Sequence, residues 1–256
     1  MLKEELKFEN STVLEGMTSI SALIKAKEQQ INDREIIKIL VDKSKIYKNA
    51  RQLSFLKAKR KELHFDIEES DEETINTYTT GNSHGGIIAL CSLRTIPELT
   101  AECIKDNGFY VMIQGIEDPY NFGYALRSLY ACGCDGTILP ERNWMGAAGV
   151  VARSSAGASE LMFVYTANDE VCADIFKSRG YRIVAADERT DTYLNNAVLK
   201  KPILLIVGGE RRGISRALLQ KCDELVKIKY GRTFKSSLSA ASAATILGYE
   251  IMIKNM

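Results

Sequence analysis

The stretch Ile203-Leu204-Leu205-Ile206-Val207-Gly208-Gly209-Glu210-Arg211-Arg212-Gly213-Ile214-Ser215 decides how this chain of 256 residues reads. Its five consecutive apolar residues form the kind of strand that is buried on both faces. The paired glycines then let a ligand approach the main chain with no Cβ in the way. Ser215 opens a helix. Strand, glycine loop and helix together are the repeating module of an α/β protein, and three well-known versions are excluded. The segment 208–213 lacks the Gly-x-Gly-x-x-Gly spacing of a dinucleotide site and the Lys-Ser/Thr of a P-loop, and it comes late in the chain. There is no Gly-x-Ser-x-Gly elbow, and the two histidines, His64 and His84, lie in the N-terminal third, which argues against a Ser-His-Asp hydrolase.

The same texture extends outward from this stretch. Strands are expected at Phe109–Ile113, Thr137–Leu139, Leu161–Tyr165, Tyr181–Ala185 and Leu225–Ile228, and helices at Asn121–Ala131, Glu170–Ser178, from Ser215, and from Ser237 onward. Strands separated by helices predict a mostly parallel sheet covered on both faces. The part before it predicts a small α/β domain. It has a helix over Thr18–Lys27, a buried strand at Ile36–Val41, a basic helix after it and a strand at Ile87–Cys91. The texture changes after Pro97, and the boundary falls in the region 93–107. The domains are therefore read as 1–97 and 105–256.

Composition narrows the function classes. With 45% hydrophobic and 26% charged residues the chain can build a substantial core and is no candidate for global disorder. Its apolar runs are too short to span a bilayer, and Met1-Leu2-Lys3-Glu4-Glu5 carries acids where a signal peptide wants bases, so a cytoplasmic protein without membrane association is expected. The six cysteines form no Cys-x-x-Cys pair, so neither a metal site nor a disulfide framework is expected, and they read as reduced and mostly buried. The net charge of +1 conceals blocks: eight bases and no acid over Lys43–Lys61, then seven acids over Glu62–Glu73. The basic block, with Tyr47 and Phe55 interleaved, is either an RNA-tracking surface, with Lys57, Lys59 and Arg60 as its candidates, or a solvated helix face balanced by the acids.

Three ordered segments together carry a resemblance. They are Asp118-Pro119-x-Asn121-x-Gly123-x-x-x-Arg127, then Gly208-x-Glu210-x-x-Gly213, then Ile228 with the Ser237-Leu238 step and Ala243. At these positions the chain resembles the SpoU/TrmH family of SPOUT-class RNA 2'-O-ribose methyltransferases. Residues 105–256 resemble its methyltransferase domain. More weakly, residues 12–92 resemble the ribosomal-protein-like substrate-binding domain that many members carry in front. The resemblance implies a trefoil knot, a rare exception to the unthreaded rule, an S-adenosylmethionine site within it, and a homodimer that builds each active site. Two departures stand out: Ile228-Lys229-Tyr230 replaces the usual Ile-Pro-Met, and Ser237-Leu238-Ser239 replaces Ser-Leu-Asn.

Site roles follow from the resemblance residue by residue. Arg127 is the leading catalytic candidate, and two roles stay open for it. One is a base whose pKa is lowered at the site; the other is a charged group that binds phosphate and stabilises the alkoxide. Asn121 either orients that arginine or the ribose, or caps its helix. Glu210 either holds Arg127 or a knot amide, or is a first-turn acid. Ser237 and Ser239 are further catalytic candidates, with Ser237 also a good cap for the last helix. Gly208, Gly209, Ile228, Tyr230 and Leu238 are expected to hold the cofactor. The expected activity is 2'-O-methylation of RNA, with rRNA favoured. The alternatives are a tRNA enzyme of the same class, or a non-catalytic RNA-binding protein that keeps the knot.

Overall fold

The computed structural model describes residues 12–79, 84–140, 147–209 and 213–256. They form two compact units. The first comprises the described residues up to Thr95 together with 147–161; the second comprises the described residues from Ile96 to 140 and from Met162 to Met256. The division falls between Thr95 and Ile96, and residues 147–161 return to the first unit.

In the first unit the strands β1 (Thr12–Glu15), β2 (Ile36–Asp42), β3 (Asp66–Ser70) and β4 (Ile87–Cys91) form a sheet in the order β1-β4-β2-β3. Beside them lie α1 (Gly16–Glu28), α2 (Ala50–Leu63) and α3 (Glu72–Tyr78). Leu23, Ile24, Ile39, Leu56 and Phe65 fill the core, and Ala152 of the returning segment joins them. That segment holds the short helices α5 (Ala148–Ser154) and α6 (Ala158–Leu161), which follow α4 (Pro119–Ala131) of the second unit in the chain. His84 is buried in the turn before β4. Its Nδ1 accepts from the Gly86 N–H at 3.1 Å and its Nε2 lies 3.1 Å from Asn76 Oδ1.

The second unit is built on six strands: β5 (Phe109–Ile113), β6 (Gly136–Leu139), β7 (Phe163–Thr166), β8 (Arg182–Ala186), β9 (Ile203–Val207) and β10 (Glu224–Val226). They run in the order β10-β8-β9-β5-β6-β7 and every pairing is parallel. The central pair β5 and β9, in register from Phe109↔Ile203 to Ile113↔Val207, is buried at every residue, as a strand covered on both faces requires. The covering helices are α4 (Pro119–Ala131), α7 (Asp169–Ser178), α8 (Arg216–Gln220) and α9 (Ala240–Ile253). Helices α4 and α9 pack closely because α9 has Gly248 at the contact; a Cβ there would lie 2.9 Å from Leu129 Cδ2. All six cysteines are free, four of them buried. Burial pushes the thiols of Cys91, Cys134 and Cys172 up to about 12.

Two of the helix starts that differ from expectation bear on the candidate site residues. Helix α4 begins at Pro119, not Asn121. Its cap is Asp118, whose carboxylate accepts from the N–H groups of Tyr120 (2.6 Å) and Asn121 (3.2 Å). Proline suits the first helical position because its missing N–H has no helical partner there. Helix α9 begins at Ala240, and the cap is Ser239, accepting from the Ser242 N–H at 3.2 Å, so Ser237 lies outside the helix.

Candidate functional site

In a parallel sheet all carboxyl ends lie at one edge, and ligands bind there. The residues that follow β8 (Asp187, Glu188, Arg189), β9 (Gly208, Gly209) and β10 (Lys227, Ile228) line one cavity of about 940 Å³. Tyr230, Ser237, Leu238, Ser239 and Ala243 complete its wall. The volume lies within the range of about 300–1,000 Å³ usual for small-molecule sites.

The glycine pair is required by packing as well as by access. A Cβ on Gly209 would fall 2.5 Å from Gln114 O and 2.6 Å from Gly115 Cα, so the loops after β5 and β9 touch main chain to main chain. Gly209→Ala is expected to displace these loops and cost about 1–3 kcal/mol, as overpacking usually does. A thermal melt checks this, and wild-type stability would show that the two loops separate freely. Gly208→Ala is expected to cost less, since its nearest neighbours, Ile214 Cγ1 and N, lie at 3.3 Å.

Opposite the glycines, the Tyr230 hydroxyl accepts the Leu238 N–H at 3.2 Å, and the Tyr230 ring packs against Phe234 with centroids 6.2 Å apart. This closes the loop between β10 and α9 and sets Leu238 in the wall. Tyr230 therefore contributes by holding Leu238 in place as well as by lining the cavity. The Ser239 side chain is spent on the cap and on a 3.0 Å bond to Ser242 Oγ. Ser237 is exposed.

Part of the charge at the rim is already paired. Arg189 forks onto Asp187 at 2.6 and 3.0 Å, and that hydrogen bonding holds the Asp187 carboxyl below its ordinary range. Lys227 Nζ sits 4.9 Å from the centroid of the Tyr193 ring. Asp187, Arg189 and Lys227 were not singled out from the sequence. Their only signal is that they follow strands, and which strands adjoin becomes visible only in the sheet order.

Arg127 lies elsewhere. It is exposed on α4, is not among the residues lining the cavity, and takes part in no hydrogen bond or ion pair among the described residues. Asn121 is half-buried near the start of the same helix, and Glu210 lies outside the described residues. In the first unit Lys59 pairs with Glu28 (2.7 Å) and Glu62 (2.8 Å), and Arg60 pairs with Asp66 (3.1 Å). Lys57 has no such partner among the described residues.

A model of the SpoU rRNA Methylase family matches residues 108–249. The chain belongs to this family. YacO of Bacillus subtilis (strain 168), named as a TrmH family tRNA/rRNA methyltransferase, is 28% identical over 229 residues, which is 87% of this chain and 90% of that one. A TrmH family tRNA/rRNA methyltransferase of Staphylococcus haemolyticus is 34% identical over 56% of this chain and 58% of its own length. The fold is shared with solved structures. An AdoMet-bound rRNA methyltransferase from Sinorhizobium meliloti superposes with a TM-score of 0.77 at 20% identity, over 99% of this chain and 90% of that one. AviRb, a SpoU methyltransferase from Streptomyces viridochromogenes in complex with AdoMet, gives 0.76 at 20% identity, over 99% and 97%. At such identities the likeness is one of fold.

Proposed function

We propose that the protein transfers a methyl group from S-adenosylmethionine to a ribose 2'-hydroxyl of RNA, with rRNA the preferred substrate. The observation that carries this reading is the cavity at the carboxyl ends of β8, β9 and β10, built by the SpoU motif residues Gly208, Ile228 and Leu238 in a chain of that family. The residues present fit the cofactor. Gly208 and Gly209 offer main chain without a side chain in the way, Leu238 offers an apolar wall, and the volume suffices. S-adenosylmethionine, when bound, supplies an electrophilic methyl on a sulfonium. Main-chain groups near Gly208, Ile228 and Leu238 would hold its adenosine portion, in a polypeptide segment that we infer is threaded as the family's knot.

Charge developing on the 2'-oxygen needs a positioned cation. Guanidinium groups keep their proton in proteins, so Arg127 serves as that fixed cation rather than as a base. Because Arg127 does not line the cavity, we infer that a second copy of the chain brings it there. Tyr120 and Tyr124 share its exposed helix face, at 42% and 51% exposure, and Ile246, Tyr249 and Ile253 recur at helical spacing along α9. Apolar exposure on two helices that pack together supports a face for that second copy. The first unit is assigned to binding the RNA substrate.

The test is transfer of labelled methyl from S-adenosylmethionine to unmodified rRNA and tRNA transcripts. Label in rRNA that resists alkaline cleavage at the modified ribose is the expected result. Label in tRNA alone would replace the preferred substrate, and cofactor binding without transfer to either RNA would overturn the reading.

A further inference from the structure

The basic block of the first unit separates in three dimensions into two sets. Lys45 pairs with Asp42 (3.0 Å) and Glu72 (2.7 Å), and Lys59 and Arg60 are tied as described above. Lys43, Lys48, Arg51, Lys57 and Lys61 are exposed and make no ion pair among the described residues. The one acid within α2, Glu62, is held by Lys59. The acidic run that balances the block in sequence therefore neutralises only part of it.

The unpaired set carries exposed aromatic rings. Tyr47 is 96% exposed and Phe55 is 39% exposed. Arg51 and Phe55 lie one turn apart on the same face of α2, and Tyr47 precedes Arg51 by four residues. The placement of the cations adds a second observation. Lys48 and Arg51 flank the N-terminus of a 14-residue helix that has no acid in its first turn. Cations at that end are disfavoured by the helix dipole, which attracts anions instead. The cap residue Asn49 makes no side-chain cap and donates to Gly85 O at 3.0 Å. An anion lying across Lys48 and Arg51 relieves both the dipole and the repulsion among the cations.

We propose that Tyr47, Lys48, Arg51 and Phe55 form a landing surface for an unpaired stretch of RNA, with phosphates on the two cations and bases stacked on the two rings. A double helix hides its base faces, whereas an unstacked base has a π-face for a ring presented to solvent. The surface rests on the RNA methyltransferase reading and adds to it a preference for single-stranded segments; it belongs to the first unit, and the cavity belongs to the second.

Fluorescence anisotropy of the full chain with a labelled single-stranded oligouridylate and with a short RNA duplex, over a range of KCl, tests this. Tyr47→Ala with Phe55→Ala is expected to weaken single-strand binding about tenfold or more and duplex binding far less. Tyr47→Phe is expected to retain binding. Lys48→Gln with Arg51→Gln is expected to flatten the salt dependence by about one to one and a half units of slope. Calorimetric binding of S-adenosylmethionine should be unchanged in all variants. Equal single-strand binding by wild type and Tyr47→Ala/Phe55→Ala would overturn the surface and leave the methyltransferase reading intact. A wild type that binds cofactor but no RNA would overturn both. Loss of binding to phosphatidylglycerol vesicles in the variants, with RNA binding unaltered, would reassign the surface to membranes and also overturn it.

Discussion

Arg127→Ala abolishes most methyl transfer, by about 10²–10³-fold in turnover, while S-adenosylmethionine still binds with wild-type affinity; this is the expected result if Arg127 supplies charge to the reacting oxygen. The two readouts separate because Arg127 is exposed on α4 and absent from the cavity wall. Arg127→Lys keeps the charge but loses the planar fork, so intermediate activity with an unaltered pH–rate profile is expected. A new ionisation in that profile would restore the role of base. Full activity of Arg127→Lys would remove any need for guanidinium geometry.

The dimer that this account requires is tested by mixing. Arg127→Ala is combined with a chain whose cavity is filled by Ala243→Trp, each inactive alone and each confirmed as folded. Random pairing under two-fold symmetry makes about half of the dimers mixed, with one complete site of two, so about a quarter of wild-type activity should return. No recovery, with exchange of chains demonstrated, would place Arg127 and the cavity within one copy.

How much of this was legible in the sequence varied with the kind of interaction. Strands β5, β9 and β4 have the bounds expected of them because continuous apolar runs report burial directly. Capping was less legible. Around α4, Asp118, Pro119 and Asn121 all carry start signals, and only geometry shows that Asp118 accepts the free N–H groups. Around α9 three serines compete, and Ser239 wins because it alone stands immediately before the helix with its hydroxyl on the Ser242 N–H. The cavity was half legible. Gly208 and Leu238 announce themselves by motif, whereas Asp187 and Lys227 belong to it only because β8 and β10 are neighbours in the sheet. Contacts distant in sequence were not legible at all, and the placement of 147–161 in the first unit is the clearest case.

That placement makes a second large prediction. Glu160, on α6, is 2% exposed, and its carboxylate lies 3.0 Å from Arg34 Nε, itself on a residue that is 3% exposed. Asn32 Nδ2 donates to the Glu160 carbonyl at 2.8 Å, and Arg34 Nη1 donates to Ser92 O at 2.9 Å. The ion pair is therefore satisfied and dry, and each charge depends on the other. Glu160→Ala leaves the Arg34 guanidinium buried without its carboxylate, which costs about 3–5 kcal/mol. Against the roughly 5–15 kcal/mol that holds a domain folded, this brings the first unit close to unfolding. Because the two units need not melt together, hydrogen exchange is the informative measurement. Amides of β2 and β4 should lose protection while those of β5 and β9 keep it. Replacing both partners, Arg34→Met with Glu160→Leu, should recover most of the loss, since an apolar pair of similar volume leaves no charge to desolvate. A Glu160→Ala chain within about 1 kcal/mol of wild type would mean that water reaches Arg34. Segment 158–161 would then be a surface appendage of the first unit rather than part of its interior.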